Sequence, residues 1–162
     1  MEGGELMRGR TIAFGIILTL LVPLIVYFIG VGKTTYLIGG IFIIKGLMII
    51  FIPKEVKKID KFINIDRWEA FQKKDSEFKL HVEKGSIAYI LIGLGILFLG
   101  YRFETLGINN KLFPYYLAYG AFVAIYFFGE TFSVIKSKDL DEYRRFNVYV
   151  SIALIVVAIL IL

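Results

Sequence analysis

Two ionisable side chains stand well inside apolar runs. Lys45 lies in TYLIGGIFIIKGLMIIFIP, residues 35–53, and Glu130 in FPYYLAYGAFVAIYFFGETFSVI, residues 113–135. A charge near the centre of a bilayer costs about 2.5–3.5 kcal/mol on insertion scales, so such residues turn toward the protein interior and find a partner. Lys45 precedes Pro53 by eight residues, and Glu130 precedes Lys136 by six. At ~1.5 Å per residue, the two positions lie about 12 and 9 Å from one membrane face. These similar depths predict a salt bridge between two spans, which would fix helix register or serve as an ion or proton site. Snorkelling of the lysine stem to the headgroups and a glutamic acid kept neutral by burial are the competing states.

The run that holds Glu130 also carries a stripe of phenols. Tyr115, Tyr119, Tyr126 and Glu130 fall at i, i+4, i+11 and i+15, with Phe122 between them, so they share one helix face. Tyr115 and Tyr116 suit the aromatic belt at a membrane interface, but Tyr126 lies too deep for it. Tyr119, Phe122 and Tyr126 are therefore the candidate lining of a ligand slot or hydrated path. On the neighbouring face Gly120 and Ala124 make a small-xxx-small step suited to close helix contact.

Other chemistries find little support. The 162 residues include no cysteine, which excludes disulfides, thiolate metal sites and cysteine nucleophiles. One histidine, His81, is too few for a histidine metal cage, and no cofactor is expected. Gly30-Val-Gly-Lys-Thr-Thr35 resembles the end of a phosphate-binding loop, but the required earlier glycine is Tyr27 and no strand precedes it. Gly93 and Gly95 lack the third glycine of a dinucleotide fingerprint, since position 98 is Phe. No catalytic constellation is visible, so an enzyme is the least supported class.

The elements that must position these residues are apolar and long. The chain is 57% hydrophobic with a mean hydropathy of +0.72, and its apolar residues come in long unbroken runs rather than in an alternating pattern. Spans are expected at about 11–31, 35–53, 85–103, 113–135 and 146–162, with a tight turn at Gly32–Thr34 and a kink at Pro23. The last run is barely long enough; if it or the first run does not span, four remain. A cleaved leader is the rival reading of the first run, but it is longer than a leader's apolar core and shows no small-x-small cleavage site. The expected fold is all-α, a polytopic transmembrane bundle in one integral membrane domain, residues 1–162.

Between the second and third spans lies a charged collar, residues 54–84. It holds nine of the nineteen Lys and Arg residues. With the N-terminal tail and the 136–145 link, which fall on the same side of a five-span chain, the count rises to fifteen. The positive-inside rule then puts the N-terminus and collar in the cytoplasm and the C-terminus outside the cell membrane. Seven acidic residues nearly cancel the collar's charge, so nucleic acid is not an expected partner. Apolar residues at 56, 59, 62 and 63 and then Trp68 and Phe71 suggest two short amphipathic helices on the inner membrane surface, the second capped by Asp66 with Glu69. Trp68 and Phe71 are alternatively contacts for a partner, either a second copy of the chain or another membrane protein.

A weak repeat runs through the chain. Tyr36-Leu-Ile-Gly-Gly-Ile-Phe42 and Tyr116-Leu-Ala-Tyr-Gly-Ala-Phe122 share Tyr, Leu, Gly and Phe, and each opens the second span of a span pair. Two such units would be parallel, related by an axis along the membrane normal. The function expected from all this is a non-enzymatic accessory or interaction component. The alternative is a small oligomeric carrier or channel for an ion or small solute that uses Lys45 and Glu130.

Overall fold

A computed structural model describes residues 7–107 and 113–161 of the chain, without the side chains of 159–161. Among these residues the protein is all-α: α1 (Gly9–Ile29), α2 (Val31–Phe51), α3 (Pro53–Ile63), α4 (Ile65–Gln72), α5 (Ser76–Lys84), α6 (Ser86–Thr105), α7 (Phe113–Lys136) and α8 (Leu140–Ile161). Four segments are long and apolar enough to cross a membrane: α1, α2, the stretch Ser76–Thr105 that contains α6, and α7. Their outward faces carry exposed Leu20, Phe28, Phe51, Leu91 and Phe98. An exposed apolar surface this extensive needs an apolar surround, as expected of a multi-pass membrane protein.

The breaks between elements have identifiable causes. The first turn falls at Gly30, not at the expected Gly32–Thr34. Gly30 adopts φ 89°, a region that β-carbons disfavour, and α2 begins at the next residue. Its N–H still bonds the Val26 carbonyl, so the turn is nearly seamless. Pro53 opens α3 at the first helical position, where a missing N–H costs nothing. The collar contains three short helices rather than the expected two. Asn64, not Asp66, caps α4 by accepting the Arg67 N–H at 3.0 Å, and Asp75 caps α5 by accepting the Phe78 N–H at 2.7 Å. Asp66 lies within the first turn of α4 and accepts the backbone N–H of Arg8 at 2.8 Å. α8 begins inside the charged link and extends the last apolar run into a 22-residue helix. α1 continues through Pro23 as one helix. Of the polar loop that follows α6, residues 108–112 lie outside the described residues.

The closest packing is between antiparallel α2 and α6. Gly32, Gly39 and Gly46 recur every seven residues on α2, and Ser86, Gly93 and Gly100 do so on α6. A β-carbon at Gly93 would lie 2.8 Å from the Gly39 carbonyl oxygen, and one at Gly46 would lie 2.8 Å from the Ser86 carbonyl oxygen. The helices therefore meet backbone to backbone, the use that small residues serve between membrane helices. The seven-residue spacing on both helices keeps this seam in register along their length. α7 packs on α1 and on α8. The second span of each unit of the weak repeat thus packs on the first span of the other, α2 on α6 and α7 on α1.

The collar is docked onto the bundle end. Ala70, Phe71 and Phe78 form a buried cluster with Val134 of α7 and Tyr143 of α8. Asn64 donates to the Thr131 hydroxyl at 2.5 Å, and the Lys74 ammonium donates to the Ser137 carbonyl. Arg8, just before α1, pairs with Glu69 at 2.6 Å. Arg8, the collar and the 136–145 link therefore gather at one end of the molecule.

Candidate functional site beneath the collar

Five elements converge on a buried polar cluster. Lys45 comes from α2, Arg67 from α4, Tyr89 from α6, and Tyr126 and Glu130 from α7, with Asp60 of α3 behind them. The Lys45 ammonium donates to the Tyr126 hydroxyl at 3.0 Å and to the Tyr89 hydroxyl at 3.3 Å. It also stands 4.4 Å from the centre of the Tyr89 ring, a cation–π distance. Tyr89 in turn donates to Glu130 Oε1 at 3.4 Å. The other carboxylate oxygen of Glu130 pairs with Arg67 Nη2 at 2.9 Å, and Arg67 Nη1 lies 3.6 Å from Asp60.

Lys45 and Glu130 thus belong to one network, joined through the Tyr89 hydroxyl rather than by a direct ion pair. The carboxylate's cationic partner is Arg67. Burial works against the charge of Arg67, but the Glu130 carboxylate, with Asp60 behind it, outweighs that penalty and holds its pKa above the usual arginine value. The side chain is 12% exposed, so the guanidinium is charged in a nearly dry setting.

The phenol stripe of α7 divides between two tasks. Tyr126 joins the cluster. Tyr119, two turns away, meets the Thr35 hydroxyl and donates to the Val31 carbonyl at 3.4 Å, clasping α7 to the start of α2. Phe122 lies between them and lines a small void with Tyr119, Ile38 and Phe103. Tyr115 packs partly buried against the core, as does Tyr116, whose hydroxyl is buried without a hydrogen-bond partner among the described residues. Phe71 is buried in the cluster between collar and bundle, and Trp68 packs beside it with ring centroids 6.4 Å apart. Both are used by the chain itself.

Two cavities flank the cluster. One, of about 200 Å³, lies under the collar and is lined by Lys45, Ile49, Val56, Arg67, Trp68 and Tyr89, among others. The other, of about 550 Å³, opens between α6 and α8 over a floor of Phe122, Tyr126 and Glu130. Its apolar upper part includes Ile92, Ile96, Leu154 and Ile155, while His81, Tyr143 and Asn147 line its collar end. Tyr89 and Val82 border both. Lys45 therefore faces one cavity and Glu130 the other, with the Tyr89 side chain in the wall between them.

Sequence reasoning reached Lys45, Tyr126 and Glu130 but missed Tyr89 and Arg67. Tyr89 had a signal, as a phenol in the first turns of a span that are apolar beyond Ser86. Arg67 had none, because within a run of collar charges nothing in sequence singles out the one that folds inward. No protein-family model, curated protein or solved structure matches this chain, so the functional reading rests on this geometry.

Proposed function

We propose that the chain is a five-span, non-enzymatic protein of the cell membrane that acts as a small carrier for an ion or small solute. In this reading α8 is the fifth span, the end that gathers Arg8, the collar and the 136–145 link faces the cytoplasm, and the C-terminus lies outside. The collar helices then lie at the inner membrane surface, with exposed Ile59, Phe62 and Leu80 available to the interface. The lysine and arginine bias supports the orientation.

One observation carries the carrier reading. Two side chains, Tyr89 and Val82, border both a collar-side cavity that Lys45 lines and a lateral cavity that Glu130 lines, and Tyr89 is the polar one of the two. A carrier needs a site near which access can switch from one side to the other, and intramembrane ionisable residues mark such sites. The accessory-component reading would use Trp68 and Phe71 as partner contacts. It has less support, because Phe71 is buried and Trp68 borders the collar-side cavity. Assembly with a second copy or another membrane protein would instead use outward faces such as Leu20, Leu24 and Phe28 of α1.

The test is electrical. Purified protein in liposomes, adsorbed on a solid support, is challenged with concentration jumps of sodium, potassium, phosphate and short carboxylates. A current above that of protein-free liposomes, lost in Lys45→Met while the protein still elutes as one folded species, supports the reading. No current for any solute from folded wild-type protein overturns it.

A further inference from the structure

The cavity under the collar contains donors that the protein does not use. The Lys45 ammonium has three N–H groups. Two reach phenol oxygens, and among the described residues no carboxylate lies within ion-pair distance of it. Arg67 spends its terminal nitrogens on Asp60 and Glu130, but its Nε–H is buried without a hydrogen-bond partner among the described residues. The third cation of the cavity, Lys57, is already paired with Glu83 at 2.9 Å. Lys45 and Arg67 thus both border one space of about 200 Å³ with spare N–H donors. A buried donor left unmade is costly, and more so when it is charged. Two such donors beside one void are what an acceptor-bearing ligand would satisfy.

The remaining wall states what else the ligand needs. Apart from the carboxylates of Asp60 and Glu83, which Arg67 and Lys57 neutralise, Ile49, Val56, Trp68 and Phe71 make it largely apolar. A bare hydrated ion would gain nothing from that wall, whereas an anion with an apolar body would bury it. We propose that this cavity binds an anionic oxyacid group, carboxylate or phosphate, attached to an apolar body. The oxygen atoms accept from Lys45 Nζ and Arg67 Nε, and the apolar part lies against Ile49, Val56 and Trp68. The inference deepens the carrier reading by naming the class of its solute, and it rests on that reading for the site's purpose. Two sources share this chemistry: a soluble organic anion and the headgroup region of an anionic lipid reaching the collar from the inner leaflet.

Trp68 is the sole tryptophan of the chain and borders the cavity, so its emission reports the site directly. Full-length protein in neutral detergent is titrated with hexanoate, with inorganic phosphate and with hexanol as the uncharged counterpart. The same protein is placed in phosphatidylcholine nanodiscs with and without phosphatidylglycerol. A saturable shift with hexanoate at concentrations where phosphate gives less assigns a soluble anion, and a shift only with phosphatidylglycerol assigns a lipid headgroup; either supports the site, whereas a response to phosphate equal to that of hexanoate overturns the apolar body. Lys45→Met weakens the response by roughly tenfold or more, the effect of one charge-assisted hydrogen bond, and Lys45→Arg recovers part of it. Ile49→Phe, which fills the cavity and leaves every charge in place, abolishes the response and serves if Lys45→Met does not fold. An equal response to hexanol, an undiminished response in Ile49→Phe, or no response to any anion overturns the proposal. Binding without current in liposomes removes the carrier reading and leaves the site; current without binding does the reverse.

Discussion

On one side of α6, a methyl group at Gly93 would sit 2.8 Å from the backbone oxygen of Gly39 on α2. On the other side, toward α8, the same helix borders a cavity of about 550 Å³. Both sides are built from apolar residues at membrane depth, yet one is a backbone-to-backbone seam and the other is open. The seam follows from small residues every seven positions on two helices, which leave no side chain to hold the backbones apart. Toward α8 the facing positions are Ile92, Ile96, Leu154 and Ile155, large and branched, and the polar residues collect at the collar end. The contrast assigns rigidity to the α2–α6 pair and adaptability to the α6–α8 gap, with the Tyr89 cluster at the lower corner where the two meet.

The largest effect is expected at the seam. Adding even one methylene to a well-packed interface costs about 1–3 kcal/mol, and a leucine at Gly93 would put its β-carbon against a backbone oxygen that cannot rotate away. Gly93→Leu should fail to give a monodisperse species in mild detergent. Ser151→Leu, of similar added volume but facing the gap, should melt within about 0.5 kcal/mol of wild type. Gel filtration with a thermal melt reads both. If Gly93→Leu is tolerated as well as Ser151→Leu, the division into a rigid and an adaptable side of α6 is wrong.

Next in size is the ion pair that fixes the collar over that corner. Removing one partner of a buried pair costs about 3–5 kcal/mol, because the other charge is stranded. Arg67 and Glu130 keep 12% and 20% exposure, so Arg67→Met should fall at the lower end of that range. A double-mutant cycle of Arg67→Met with Glu130→Gln should show a coupling of about 1–3 kcal/mol, and one of Lys45→Met with Glu130→Gln only about 0.5–1, since that contact is indirect. Equal couplings would mean that Lys45 and Glu130 touch directly.

The sequence made part of this comparison legible. Unbroken apolar runs located α1, α2, α6 and α7, because no other arrangement buries such segments. The depths of Lys45 and Glu130 pointed to a salt bridge, and the structure joins the two only indirectly, through the Tyr89 hydroxyl. What escaped was set by partners distant in the chain. The second cap was assigned to Asp66 because an Asp followed three residues later by Glu is a local signature; Asp66 is instead engaged by Arg8, 58 residues away. Arg67 was counted only for its charge, which fixes topology whichever way the side chain points. The seven-residue spacing of Gly32, Gly39 and Gly46 against Ser86, Gly93 and Gly100 was present all along. Within a single span the spacing does not stand out, because only the matched period on two spans identifies a pair.

A smaller effect comes from the clasp at the far end of the phenol stripe. Tyr119→Phe removes the hydroxyl that meets Thr35 and the Val31 carbonyl. A net hydrogen bond is worth about 0.5–1.5 kcal/mol, and the stranded Thr35 hydroxyl still bonds Val31 at 2.8 Å, so the loss should be near 1 kcal/mol or less. The cluster couplings should not change, because Tyr119 has no contact with Lys45 or Glu130. A changed Lys45–Glu130 coupling in this background would show that the stripe acts as a unit.

Tyr89→Phe should alter stability least and the network most. The ring keeps its place in the wall and its face toward the Lys45 ammonium, so packing and the cation–π contact survive. Only the hydroxyl goes, and its two contacts, 3.3 and 3.4 Å, are long. The stability change should stay below about 0.5 kcal/mol, the low end for a net hydrogen bond. That hydroxyl is nevertheless the atom through which Lys45 senses Glu130. Repeating the Lys45→Met and Glu130→Gln cycle in the Tyr89→Phe background should reduce their coupling to within error of zero, while the Arg67–Glu130 coupling keeps its full size. A Lys45–Glu130 coupling that persists without the phenol would show that the two charges communicate directly across the corner, and the wall between the two cavities would lose its role as the link.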